Sequence, residues 1–92
     1  MLKIKYTKKM KQGIKRVIKR GKDISKLNEV LKILAAQNPL PKQYSDHKLT
    51  GGGNFRECHI EPDWLLVYRI FEDKLILSAI ATGTHRETLN IE

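Results

Sequence analysis

The first residues alternate. Leu2, Ile4 and Tyr6 are separated by Lys3 and Lys5, the two-residue period of a short strand. The period then lengthens. Met10, Ile14, Val17 and Ile18 fall at i, i+4, i+7 and i+8, one apolar stripe on a helix otherwise filled with lysine and arginine. Gly21 closes that helix as its C′ residue. Ser25 is placed to cap a second helix with a stripe of Leu27, Val30, Leu31 and Leu34, which Asn38 and Pro39 end. The short connection predicts an antiparallel pair. Residues 39–53 read as a loop, with two prolines, then Tyr44-Ser45-Asp46-His47, then three glycines at 51–53. From Asn54 the period returns to two. A strand over 54–60 is broken by Glu61-Pro62-Asp63, and Trp64–Phe71 is almost wholly apolar, as a central strand is. After the Glu72-Asp73 turn comes a strand over 74–81, ended by Thr82-Gly83-Thr84 and followed by a short C-terminal turn or helix. The fold expected is α+β, ordered β-α-α-β-β-β. Both helices pack on one face of a small, mainly antiparallel sheet and leave the other face free.

Composition narrows this. A chain of 92 residues with 40% apolar content supports one domain over 1–92 and one modest core. Its one cysteine, Cys58, rules out a disulfide within the chain and reads as a reduced, half-buried thiol. No apolar run approaches the roughly 18 residues that span a bilayer. The start, MLKIKYTKKMKQ, has no apolar stretch after its charges and is unlike a signal peptide, so a cytoplasmic protein is expected.

Charge points further. Eighteen basic against ten acidic residues give +8, but residues 1–48 carry +11 and residues 49–92 carry −3. A cationic flank of that density suits a nucleic acid or an acidic protein, and charge alone does not choose between them.

The candidate chemistry lies in the second half. No GxxxxGK[ST] loop, HExxH or CxxC pair is present, and the three glycines lack the lysine and helix of a phosphate cradle. Three histidines remain. His47 lies in the loop before the sheet, His59 ends one strand with Asp63 just past the turn, and His85 follows the last strand. Ends of neighbouring strands meet in space. Alternation along 54–60 sets Phe55, Glu57 and His59 on one face and Cys58 and Ile60 on the other, so His59 points to the open side if Cys58 points to the core. The same four groups offer zinc ligands, but their spacing matches no finger or zincin pattern, and no metal or other cofactor is expected.

RNA suits a metal-free set, because it carries its own nucleophile, the 2′-hydroxyl. Cleavage then needs a base, an acid and cations for the charge on phosphorus. Imidazole titrates near ~6.5 and serves as either acid or base. Asp63 could orient an imidazole, arginines could stabilise the phosphorane, and Trp64 could stack a base or fill the core.

Three segments carry a resemblance: Asp46-His47-Lys48-Leu49, then Phe55-Arg56-Glu57-Cys58-His59-Ile60-Glu61-Pro62-Asp63-Trp64-Leu65-Leu66-Val67-Tyr68, then Thr82-Gly83-Thr84-His85. This pattern, D-H-x-L … R-E-C-H-I-x-P-D … G-T-H, resembles the YafQ-type toxins of the RelE superfamily across nearly the whole chain. The resemblance implies a RelE-like fold and mRNA cleavage in the ribosomal A site. It implies a cognate acidic antitoxin of the DinJ or RelB kind, with operator DNA bound only through that complex. His47, His59, Asp63 and His85 match the family's catalytic positions, and Trp64 matches a residue that holds RNA. Two positions depart from the pattern. Ala81 stands where family members often carry an arginine, and Leu89 stands where many carry a phenylalanine. Arg56, Arg69 or Arg86 could replace the lost phosphate clamp, with Lys48 beside His47 as a further RNA contact. Two other readings stay open: a non-enzymatic inhibitor like the ParE branch that poisons DNA gyrase, and a weakened toxin that mainly binds its antitoxin in autorepression. In each, the basic helices of residues 8–38 offer a docking surface to an acidic segment.

Overall fold

The computed structural model describes residues 1–50 and 53–88. Strand β1 (Lys3–Tyr6) leads to helices α1 (Lys8–Lys19) and α2 (Ile24–Ala35), then β2 (His47–Lys48), β3 (Phe55–Glu61), β4 (Trp64–Phe71), β5 (Ile76–Gly83) and the short α3 (His85–Thr88). The sheet order is β1-β5-β4-β3-β2, with β1 parallel to β5 and all other pairs antiparallel.

Local chemistry sets the helix boundaries. Thr7 caps α1 by accepting from the Met10 N–H at 3.0 Å, and its hydroxyl donates to the Ile80 carbonyl at 2.6 Å. Gly21 ends α1 with φ +80°, and the N–H groups of Lys22 and Gly21 close onto the carbonyls of Val17 and Ile18. The cap of α2 is Asp23 rather than Ser25. Ser25 sits in the first turn and donates both its N–H, at 3.0 Å, and its hydroxyl, at 2.6 Å, to the Asp23 carboxylate. At the far end Gln37, in the left-handed region, turns the chain two residues before Pro39.

The buried stripe of α1 is Met10, Gly13 and Val17, and Ile18 is 52% exposed rather than buried. Gly13 lets α1 approach β5 closely, since a Cβ there would lie 2.4 Å from the Thr82 carbonyl oxygen. Two elements differ from the expected pattern in the sheet. His47–Lys48, within the expected loop, pairs with Glu57 and Arg56 as an edge strand. The last strand starts at Ile76 rather than residue 74, because Glu72–Lys74 forms a 3-10 turn and Leu75 is left-handed.

The core lies between the helices and one sheet face, joining Met10, Val17, Leu27, Val30, Leu31 and Leu34 to Cys58, Trp64, Leu66, Tyr68, Leu77 and Ala79. Strand alternation puts Phe55, Glu57, His59, Leu65, Val67 and Arg69 on the other face. That face is not bare: Leu65, Val67 and Ala81 on it are buried, and α3 packs against β4 and β5 at its end. Among the described residues no helix is long and apolar enough to cross a membrane.

Candidate active site

His59 stands on the face opposite the helices because Cys58 and Ile60, its neighbours on β3, are buried in the core. β2 pairs beside it and brings the His47 ring within 6.1 Å, centroid to centroid and stacked at 27°. The His85 ring lies 5.5 Å from His59 on the other side. The three imidazoles thus form a row with His59 in the middle. Asp63, past the β3–β4 turn, accepts from the His85 backbone N–H at 3.0 Å and sits 2.8 Å from its Nδ1. Those bonds hold the Asp63 carboxyl below its ordinary range. A carboxylate only accepts, so Nδ1 of His85 carries the proton and Nε2 is left to exchange one. His47 donates from Nδ1 to the Ser45 carbonyl at 2.7 Å, which leaves its Nε2 3.4 Å from Glu57. Nδ1 of His59 is buried with no hydrogen-bond partner among the described residues. A cavity of about 370 Å³ opens beside His59, lined also by Tyr44, Ser45 and Glu61.

Three charged clusters absent from the sequence reading fix the segments that carry these groups. Asp46, next to His47, accepts from the Tyr68 hydroxyl at 2.5 Å and from Arg56 Nη2 at 3.1 Å, and Arg56 Nε reaches the same hydroxyl at 3.3 Å. Burial first, then the Asp46 bond, pushes the Tyr68 phenol up. Glu61, ahead of Asp63, pairs with Lys22 at 2.7 Å and Lys26 at 2.8 Å. Glu87, two residues past His85, takes Arg20 at 2.6 Å and Arg16 at 2.8 Å and accepts from the Thr84 N–H at 2.9 Å. The Arg20 bond, the Thr84 N–H and the two guanidinium charges hold its carboxyl at about 2. The Glu87 N–H bonds back to the Thr84 hydroxyl, a capping box whose T-x-x-E spacing was legible in the sequence. Gly83 admits this carboxylate, because a Cβ there would lie 2.5 Å from Glu87 Oε1.

Several expected RNA contacts lie elsewhere. Trp64 is 1% exposed and donates Nε1 to Thr82 at 2.9 Å, so it is a core residue with no ring face for a base. Arg56 is engaged with Asp46 and Tyr68 on the helix side of the sheet, away from the histidines. Lys48 is exposed beside it on β2. Arg69 lies on the histidine face, and Arg86 is exposed one residue after His85. Ala81, also on the histidine face, pairs with Val67 and is 2% exposed. Leu89 falls outside the described residues. Cys58 is wholly buried, which pushes its thiol up to about 12. Among the described residues no group of three or more His, Cys, Asp or Glu is arranged to hold a metal ion.

The comparisons agree with this fold. The chain is 40% identical over 84 residues to the mRNA interferase toxin YafQ of Escherichia coli K12, covering 89% of each. The structure of a metal-bound toxin from Helicobacter pylori superposes with a TM-score of 0.92 at 42% identity, over 96% of this chain and 99% of that one. YafQ in the E. coli DinJ–YafQ complex superposes with a TM-score of 0.88 at 34% identity, over 98% and 100%. The family model for the YafQ bacterial toxin of type II toxin–antitoxin systems matches residues 2–90. With the family model matching nearly the whole chain and the open five-stranded sheet shared with those structures, the chain belongs to the YafQ family of bacterial type II toxins.

Proposed function

We infer that this toxin is an endoribonuclease that cleaves mRNA at the ribosome, with His59 and His85 sharing the acid and base roles. The observation that carries this reading is the row of three imidazoles with Asp63 fixing the tautomer of its outermost member. One ring takes the proton of the 2′-hydroxyl as that oxygen attacks the adjacent phosphorus. The bond to the 5′-oxygen breaks, and a second ring protonates the leaving oxygen. The products are a 2′,3′-cyclic phosphate and a free 5′-hydroxyl. Each such group is typically worth about 10²–10⁴ in rate. Asp63 is a positioning residue, and His47 lines the same row. The relatives' name of mRNA interferase supports the substrate class. The DinJ–YafQ complex of E. coli supports a cognate antitoxin partner of the DinJ kind. An acidic antitoxin would meet the basic helices, and operator DNA would be reached only through that complex.

In a translation extract the protein should leave discrete new 5′-hydroxyl ends on the message, lost with His85→Ala and absent when ribosomes are removed. Undiminished cleavage by His85→Ala would overturn the assignment. Ala81 favours a second reading, a weak nuclease that acts mainly by binding its antitoxin. That reading predicts harmless expression together with tight complex formation.

A further inference from the structure

Arg69 stands apart from the arginines around it. Arg16 and Arg20 are paired with Glu87, and Arg56 with Asp46. Arg69 makes no ion pair among the described residues; its Nε, like that of Arg16, is buried without a hydrogen-bond partner there, but Arg16 has the Glu87 carboxylate beside it. Its guanidinium carbon lies 4.5 Å from the Phe71 ring centre and 5.6 Å from that of Phe55. Arg69 pairs with Phe55 across β3 and β4, and Phe71 lies two residues further along β4, so all three share the histidine face. Buried guanidinium nitrogens are normally bonded, so one left open between aromatic rings is a donor still to be satisfied.

We propose that Phe55, Arg69 and Phe71 form a second RNA subsite, a clamp that stacks one nucleobase and pairs with a backbone phosphate away from the cut. This rests on the cleavage reading above and extends it. Phe55 is four residues from His59 along β3, about 13 Å at the rise of a strand. The occupant is therefore a different nucleotide from the one at the histidines. The clamp is not the scissile-phosphate arginine that Ala81 lacks, because the guanidinium leans toward the two phenylalanines. A cavity of about 580 Å³ adjoins Arg69 and Phe71, and Asn54, Arg56, Glu72 and Asp73 also line it. Those carboxylates disfavour a bare anion and leave stacking as a necessary part of recognition. Aromatic rings beside an unpaired guanidinium suit single-stranded RNA, whose bases all offer a π-face.

The test is fluorescence anisotropy with a short, labelled 2′-O-methyl oligoribonucleotide, which lacks the nucleophile and cannot be cut. Phe71→Ala should weaken binding roughly five- to a hundredfold, the range of one lost base stack. Arg69→Ala should weaken it about tenfold and lower the slope of log affinity against log salt by about 0.7, the value of one phosphate contact on a single strand. Arg69→Lys should keep that slope and lose part of the affinity, which serves if Arg69→Ala lowers the melting temperature. Inorganic phosphate at matched ionic strength should not displace the oligonucleotide. Wild-type affinity and slope in both Phe71→Ala and Arg69→Lys, displacement by phosphate alone, or no saturable binding by the wild type would each overturn the clamp. The cleavage reading fails separately, if His85→Ala still breaks the message.

Discussion

The two faces of the sheet treat polar groups in opposite ways. On the helix face each one described here is satisfied: Trp64 Nε1 reaches Thr82, the Thr82 hydroxyl reaches the Leu65 carbonyl, and Tyr68, Asp46 and Arg56 close a triangle. On the opposite face Nδ1 of His59 and Nε of Arg69 are buried and unbonded among the described residues; the one other such atom, Arg16 Nε on α1, has the Glu87 carboxylate 2.8 Å away as an ion-pair partner. Buried unsatisfied groups cost about 1–3 kcal/mol each, so a fold keeps them only where something else is served. The first face holds the domain together. The second gives up some stability to keep donors and acceptors ready for a ligand. Charge follows the same division, since Lys22, Lys26, Arg16 and Arg20 are spent inside the molecule as clamps on the loops that carry Asp63 and His85.

Breaking the helix face should show as lost stability. The largest effect is expected from Trp64→Ala, which empties a fully buried ring site and should cost about 3–5 kcal/mol in chemical denaturation. A smaller loss would return Trp64 to the RNA side of the ledger. Tyr68→Phe keeps the ring and removes the hydroxyl shared by Asp46 and Arg56, for about 1–2 kcal/mol. Because Asp46 adjoins His47, the same change should slow message cleavage without abolishing it.

Glu87→Gln should cost about 1 kcal/mol near neutral pH, since its partners are partly exposed. Its carboxyl is held at about 2, below the ordinary 4.5, chiefly by Arg20. A depressed carboxyl stabilises the fold fully above its unfolded value, and that contribution drains away as pH falls through the folded one. The gap between wild type and Glu87→Gln should therefore narrow from about pH 4.5 down toward 2. Subtracting the two curves removes the parallel acid response of Glu61 and Asp63, whose carboxyls are also held low. A constant gap across that window would mean that Glu87 does not clamp α3 through its charge.

The fold was legible where one period dominated: the stripe of α2, the run of β4 and the alternation that turned His59 away from Cys58. It was not legible where one residue answered to two neighbours. The stripe of Met10, Ile14, Val17 and Ile18 passes over Gly13, because the reason for that glycine is the Thr82 carbonyl, 69 residues away. His47–Lys48 is too short to show a period and exists because β3 offers it an edge. The structure brings together the three histidines and Asp63 that the sequence singled out, since three histidines at element ends had few ways to avoid meeting. Its supports were missed because ion pairs such as Arg20 with Glu87 leave no local trace. The exception was the T-x-x-E box at Thr84, which was there to be read.

The smallest stability change expected runs the other way. His59→Leu replaces a ring with an unbonded buried nitrogen by an apolar side chain of similar bulk beside buried Leu65. If the open face gives up stability for readiness, this variant should be more stable than wild type by about 0.5–1 kcal/mol, the low end of the cost of an orphaned polar atom, because His59 is only partly covered. Message cleavage should fall by about 10² or more, the typical worth of one proton-transfer group. Gain and loss together mark a residue kept for chemistry at the expense of packing. A destabilised His59→Leu protein would mean that the imidazole is a structural part of its face, and the contrast between the two sides of the sheet would fail at its central residue.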